Sequence, residues 1–593
     1  MDRIECVLMD LDRNTLRGTR WQRGCSIHQA ILRSRWDLDT RRMSKDHGPA
    51  VRQARNVPVF SNTEEQRIFL AAGRLLYLNS VQVEKMFGLP RILTVYAIAI
   101  PLALVLGYAL STPNRVSYVM VGLVLFVLLL PLFIQWHHIL LICFWNSAFN
   151  FPFLPSQPHF WLLLAVLSFG ISWLNGLLGR GRFLRAPELT RPLVFLGIVV
   201  FVTGYLRGGI GLHAFGSSSY GGKSYFYIFG GIIGYFALTA VRIPLAKAYR
   251  ASRIYFLSGM TFALPNLVFL LGPAFYFLFY LLPGEFTGAQ AVAESGWQPG
   301  AIERLGGITP ACTAVIWYLL VRWGIRGVFS VTHPWRAVIF VVMVLLSLMG
   351  GFRSGEIIIG LLFVCLFFVE GLWRTRFLPI LLGFGVAAVV MLFAFAGHLP
   401  LAAQRAVSFL PVKVDPGVKA DADYSAQWRF DMWRILAAQI PKYLLLGKGY
   451  RIDPEELYLA DLAAARGEGL SSETAMVAGD YHSGPLSTII PLGLWGVIGL
   501  LWLLGAGVKV LYQNYRYGDP ALQNVNAFLL AFFIMQIIMY FGVFGAFNSG
   551  LYAFTGILGL SVSINGGVRK AGEVARARAA RPVAMEAPLP VQA

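Results

Sequence analysis

Charge is scarce in this sequence: only 13% of its 593 residues are Asp, Glu, Lys or Arg. Soluble domains carry roughly 25%. With 56% of residues hydrophobic, 14% aromatic and a mean hydropathy of +0.61, a water-soluble fold is excluded. Acidic residues are the scarcest class, 30 against 50 Lys and Arg, so the formal net charge is +20. In a membrane chain such an excess is explained first by basic cytoplasmic loops. No recognition motif accompanies the charge, so no nucleic-acid partner is expected. Five cysteines without a CxxC spacing signal neither a metal site nor a disulfide framework. A P-loop, a dinucleotide fingerprint and an internal repeat are also missing, as is the short apolar core of a signal peptide in the polar first ninety or so residues.

What is present is a series of apolar runs about 20 residues long, the length that spans roughly 30 Å of hydrocarbon. They lie near 92–110, 116–134, 137–154, 159–178, 191–207, 225–242, 254–282, 307–324, 335–351, 354–373, 377–396, 485–509, 522–546 and 550–566. The expected fold is therefore an all-α, polytopic transmembrane helix bundle of about 12–14 spans, with one large outer loop between late helices. Residues 1–90 read as a cytoplasmic N-terminal region. Within it, "SNTEEQRIFLAAGRLLYL" opens on a capping-box pattern from Ser61 to Glu64 and continues as an amphipathic interfacial helix. Residues 91–396 are transmembrane helices, 397–484 the outer loop, 485–566 the C-terminal spans and 567–593 a basic cytoplasmic tail.

With the N-terminus placed inside, the connections "GRGRFLRAPELTR", "RIPLAKAYRASR", "RWGIRGVFSVTHPWR" and "WRTR" and the tail "RKAGEVARARAARP" are cytoplasmic and rich in Arg and Lys, as the positive-inside rule requires. Both termini are expected in the cytoplasm. The loop at 397–484 then faces outward, and with it His482.

Three outward elements carry chemistry. In "LMGGFRSGEIIIG", Arg353 separates two apolar segments. A hairpin-tip arginine can be a solvated turn, and Glu356 is placed to pair with it. Yet an ionisable group at membrane depth is costly without a cavity or partner, and a guanidinium fork suits phosphate oxygens. In "SAQWRFDMWRILAAQIPKYLLLGKGY", Trp428, Met432 or Trp433, Leu436 and Ile440 fall at helical spacing, as in an amphipathic helix lying at the outer interface. Arg429 shares a face with Trp433. In "GDYHSGPLSTIIPLGLWGVIGLL", His482 stands at a helix mouth, where the helix dipole and nearby arginines disfavour imidazolium and so suit a general base. Taken alone, such a histidine is more often structural. Asp480 is placed either to orient the ring or to lie in solvent. Metal catalysis is the weaker reading, because Asp421 and Asp423 lie in a loop without matching histidines. Arg207 and Lys223, on the Gly-rich outward loop, are second-tier anion ligands; a flexible solvated loop is the plainer account of them.

The Arg-Ser pair at an outward hairpin, the loop with "RFDMW" and "LLLGKGY", and then "HSGPLSTIIPLGLWGVIGLL" together resemble the O-antigen ligase and polymerase superfamily, over roughly residues 340–510. That resemblance implies a glycosyltransferase of the bacterial inner membrane, acting in lipopolysaccharide or other cell-envelope polysaccharide biosynthesis. Its members move a glycan from a polyprenyl-diphosphate donor to a sugar hydroxyl on a glycan or lipid-glycan acceptor, on the outer side, without a metal, nucleotide or other cofactor. By position, Arg353 and Arg429 hold the diphosphate and His482 helps activate the acceptor, with Arg207 and Lys223 as further diphosphate ligands. Ligase and polymerase remain open, as does a transporter or flippase of a lipid-linked anion. The transporter reading is disfavoured by the single, late outer loop.

Overall fold

The computed structural model describes residues 100–571 apart from 105–106, 108–114, 155–156, 182, 212–220, 283–304 and most of 456–480. Several expectations therefore lie outside the described residues: the helix at 61–78, Cys6 and Cys25, most of the span at 92–110, much of the Gly-rich and acidic outer loops, Asp480 and the tail beyond 571.

The described chain is helical, with no sheet and one isolated bridge between Asn150 and His159. In chain order the principal helices are α1 (Arg115–Phe144), α2 (Phe160–Leu177), α3 (Pro187–Arg207), α4 (Gly222–Thr239), α5 (Leu245–Leu257), α6 (Ala263–Leu271), α7 (Ile308–Val328), α8 (Pro334–Ser347), α9 (Arg353–Val369) and α10 (Phe377–Phe395). They continue with α11 (Leu401–Val407), α12 (Pro416–Tyr443), α13 (Gly484–Tyr517), α14 (Gln523–Gly542) and α15 (Phe547–Asn565). Among the described residues nine helices are long and apolar enough to cross a membrane, α5 and α6 counting as one. This is a multi-pass membrane protein.

Three of the expected runs are merged or broken in the structure. The run near 116–134 and the first part of that near 137–154 form one helix, α1, of 30 residues, which ends at Phe144. Gln135 and Trp136 separate the two runs, and the histidines that open the second are both buried and satisfied: His137 Nδ1 lies 2.8 Å from Ser168 Oγ, and His138 Nε2 lies 2.9 Å from the Leu238 carbonyl oxygen. The run near 254–282 is broken instead, into the end of α5, a 3-10 turn over Ser258–Phe262, α6 and a second 3-10 segment over Pro273–Tyr280. Gly272 and Pro273 account for the second break, because Gly272 takes φ +90° and proline lacks an amide proton.

The core lies where α4, α13, α14 and α15 meet, around the buried rings of Trp145, Tyr235, Phe256, Phe528, Phe533 and Phe554. Glycines bring helices close there. A β-carbon on Gly234 would meet the Trp145 ring at 2.5 Å, and one on Gly556 would meet Trp145 Nε1 at 2.2 Å. Small residues at contact points are how helices pack in lipid, where burial of apolar surface supplies little drive. α10 is the opposite case, with no buried residue along its length.

The starts of α4, α9, α13 and α15 and the ends of α3, α12 and α14 gather at one end of the bundle. The opposite ends of α3, α4 and α9 adjoin Arg185, Arg242 and Arg374, and the elements joined to or packed on those ends carry Arg180, Lys247 and Arg326. The cavity described next is at the first end.

Candidate active site

The segment between α10 and α13 is largely helical where it is described. Its short helix α11 is buried from Ala402 to Val407. α12 runs 28 residues and begins at Pro416, with the Asp415 carboxylate accepting from the Gly417 and Val418 amides. This N-cap satisfies amides that the first helical turn leaves open, and it places Asp421 and Asp423 on a helix, not in a loop. One face of α12 seals against the start of α13: Met432 and Leu436 are buried against Tyr481 and Ile490, with Trp428, Ile440 and Tyr443 packed around them. The other face carries Ser425, Ala426, Arg429, Phe430 and Trp433, and lines a cavity of about 220 Å³.

That cavity brings together arginines from three elements: Arg353 at the first position of α9, Arg405 on α11 and Arg429 on α12. Arg353 follows a tight 3-10 turn that ends in Gly351 at φ +68°, so the side chain leaves the hairpin at the cavity wall. Its Nη2 donates to the Ala422 carbonyl at 3.0 Å. Glu356 does not pair with it; that carboxylate accepts from Ser347 Oγ at 2.7 Å. The charges around Arg353 are instead the Arg405 guanidinium and the carboxylates of Asp421 and Asp423. Arg405 is only 8% exposed and is held from both sides, its Nε on the Asp421 carboxylate and its Nη1 on the Gly351 carbonyl at 2.9 Å. One buried arginine thereby ties α11 to α12 and to the turn that presents Arg353.

Sequence reasoning missed Arg405. The signal was present in "LAAQRAVSF", a lone arginine inside a small apolar helix, by the same rule that singled out Arg353.

His482 does not line this cavity but stands at its edge. Its ring packs 5.4 Å from Trp428, the neighbour of Arg429, and 5.1 Å from Phe544, the neighbour of the cavity residue Val543. The preceding residue is anchored by the Trp433 Nε1 hydrogen bond to the Tyr481 carbonyl at 2.8 Å. His482 itself has φ +46°, one of two positive-φ residues other than glycine among the described residues. A side chain in that region carries strain on the order of 1–3 kcal/mol, sustained by the surrounding packing. The next glycine is dictated by space, since a β-carbon on Gly484 would meet the Tyr540 carbonyl oxygen at 2.2 Å. Ser483 accepts the Ser487 amide through its backbone, and its side chain makes no cap.

Arg207 and Lys223 lie apart from the three arginines. Arg207 Nε donates to the Gly447 carbonyl at 2.9 Å, and Lys223 Nζ sits 5.9 Å above the Tyr227 ring. Burial, aided by the Lys223 charge, pushes the nearby His159 down to about 4.

The "GKGY" stretch has a structural reason of its own. α13 breaks at Gly493, where φ is +65° and ψ −162°. The Ile490 and Pro491 carbonyls freed by the break accept from the Lys448 and Gly449 amides at 2.7 and 2.9 Å, and the Leu494 amide donates to the Leu444 carbonyl at 2.6 Å. Broken helices survive at membrane depth when their backbone groups find such partners.

Residues 338–501 match the O-antigen ligase family. The matched segment contains Arg353, Arg405, Arg429, Tyr450 and His482, while Arg207 and Lys223 fall outside it. No curated protein matches the chain.

Proposed function

We propose that this protein transfers a glycan from a polyprenyl-diphosphate donor to a sugar hydroxyl on the outer face of the bacterial inner membrane, in surface polysaccharide assembly. The observation that carries the reading is the convergence of Arg353, Arg405 and Arg429 on one cavity with His482 at its edge, inside the segment that matches the O-antigen ligase family. The basic ends of the spans, at the opposite end of the bundle, support an outer-side position for this cavity under the positive-inside rule.

In the proposed reaction His482 takes the proton of the acceptor hydroxyl as its oxygen bonds to the anomeric carbon of the donor. The bond from that carbon to the phosphate oxygen breaks, and polyprenyl diphosphate leaves with the electron pair. Negative charge grows on the diphosphate, and fixed guanidinium groups stabilise it without reorganising. Arg353 and Arg429 are assigned to the diphosphate. Arg405, half neutralised by Asp421, positions Arg353 through the Gly351 turn. Arg207, spent on the Gly447 carbonyl, supports the α13 break; Lys223 is left as an outlying cation.

The test is transfer from purified lipid-linked glycan by Arg353→Ala and by His482→Asn, the latter chosen because Asn tolerates the left-handed backbone. Loss of a general base is expected to cost about 10²- to 10⁴-fold, and loss of Arg353 about 10²-fold or more, at unchanged protein levels. Undiminished transfer by both variants overturns the reading. Mass analysis of lipid-linked glycans in cells lacking the protein then separates the two chemistries: single repeat units accumulate without a polymerase, complete chains without a ligase.

A further inference from the structure

The connection from α7 to α8 lies at the basic end of the bundle, and the proposed reaction makes no use of it. α7 breaks just before this connection at Gly324, where φ is +63°. The Ile325 amide beside the break donates to the Glu370 carboxylate, just past the end of α9, at 3.0 Å. That acid is already engaged. Between Arg322 and Arg336 the chain holds no acidic residue and three arginines, of which Arg322 and Arg326 are exposed.

Arg336 is the unusual one of the three. It is half-buried, with its guanidinium carbon 4.5 Å from the centre of the Trp323 ring and 5.4 Å from that of Trp335, and the two indoles meet edge-on at 5.8 Å. Nη1 donates to the Gly327 carbonyl at 3.1 Å, and among the described residues no carboxylate pairs with it. Nε is enclosed without a partner, whereas Nη2 is neither enclosed nor hydrogen-bonded to any described residue. Stacking on indoles orients a guanidinium without using up its N–H donors. A charge near lipid is costly without a partner, and phosphate oxygens suit this fork.

The surface beside Arg336 narrows the class of anion. α8 buries only Phe340 and Ser347. Trp335, Val338, Val342 and Leu345, at helical spacing on one face, are all exposed. From Trp335 to Leu345 that strip rises about 15 Å, half of the roughly 30 Å hydrocarbon thickness and so the depth of one leaflet. A free phosphate has no use for such a strip, but a phospholipid does: an acyl chain lies along α8 while its phosphodiester reaches the arginine at the base. The local surplus of cations favours a headgroup with net negative charge over a zwitterionic one.

We infer that the base of α7 and α8 is a binding site for an anionic phospholipid, whose phosphodiester is held by the Arg336 guanidinium between Trp323 and Trp335. The proposed orientation makes this the cytoplasmic leaflet. The site itself rests on the Arg336 geometry and the α8 strip, and on no step of the transfer reaction.

The test is native mass spectrometry and thermal unfolding of the full chain in detergent. The protein is stripped of lipid and titrated with phosphatidylglycerol, with phosphatidylethanolamine of the same acyl chains, or with inorganic phosphate. Phosphatidylglycerol should bind about tenfold more tightly than phosphatidylethanolamine and raise the unfolding temperature, and inorganic phosphate should do neither. Arg336→Ala should cut the phosphatidylglycerol affinity about tenfold, as for a lost charge-assisted hydrogen bond. Arg336→Lys keeps the charge and loses the stack and the fork; it should fall at least threefold, and it decides the matter if the alanine variant does not fold. Arg180→Ala removes an exposed charge of the same sign at the same end and should change nothing. The inference is overturned if the two lipids bind alike, or if inorganic phosphate stabilises as well as the lipid, which would mark a soluble anion's site. Wild-type affinity in Arg336→Lys, or an equal loss in Arg180→Ala, also overturns it, leaving only general attraction to a basic surface.

Discussion

Arg405 does more for the geometry of the arginine cavity than any residue picked out for its chemistry. Its guanidinium bridges the Asp421 carboxylate on α12 and the Gly351 carbonyl in the turn before Arg353. Removing one member of a buried, paired set leaves the others uncompensated, at a cost of about 3–5 kcal/mol. Arg405→Lys keeps the charge and loses the fork, since a lysine reaches one partner and not both. The expected outcome is a lower unfolding temperature in detergent and weaker binding of the diphosphate-glycan, even though the net charge of the cavity is unchanged. Wild-type stability together with wild-type binding would show that only the charge at 405 matters. Arg353, Arg429 and His482 stand out in sequence as candidates because each is an ionisable group where lipid or a helix mouth makes one expensive. Arg405 obeys the same rule but stood in a stretch whose helix was not recognised.

At the scale of elements, the break in α13 depends on two glycines from another segment. Gly447 has φ +71°, and a β-carbon there would meet the Pro491 carbonyl oxygen at 2.2 Å. Gly447→Ala therefore adds backbone strain on the order of 1–3 kcal/mol and pushes apart the amide–carbonyl pairs that close the break. A clear drop in thermal stability is expected, with Gly383→Ala on α10 as the control, because a β-carbon at Gly383 meets nothing within 4 Å. Equal behaviour of the two variants would refute this account of the "GKG" stretch. In sequence "LLLGKGY" read as a helix stop, which it is. Its partners, the carbonyls of a helix more than forty residues on, were beyond any local pattern. The same limit applies to α1, where the partners of His137 and His138, Ser168 and the Leu238 carbonyl, come from other helices.

For the whole molecule, the basic connections at the end opposite the cavity predict topology. A cysteine at Lys419, exposed near the start of α12, should react with a membrane-impermeant thiol reagent added to spheroplasts. One at Lys247, exposed on the first turns of α5, should react only after the membrane is opened. Reaction of Lys247→Cys in sealed spheroplasts would invert the proposed orientation and move the cavity to the cytoplasm. The merging of two expected spans into α1 does not disturb this prediction, since the basic connections that set it all follow α2.

By itself the sequence determined that the chain crosses the membrane many times as helices, and it singled out an arginine-bearing segment and a helix-mouth histidine as one candidate region. These follow from apolar run length, charge bias and the cost of isolated charge in lipid, all local quantities. Tertiary structure alone decided that Arg405 joins Arg353 and Arg429 at one cavity, that Glu356 turns to Ser347, and that Arg207 holds a carbonyl. Each of these depends on which partner a side chain meets across elements distant in the chain. Hydropathy and spacing carry no record of that, because packing chooses among partners that composition leaves equivalent.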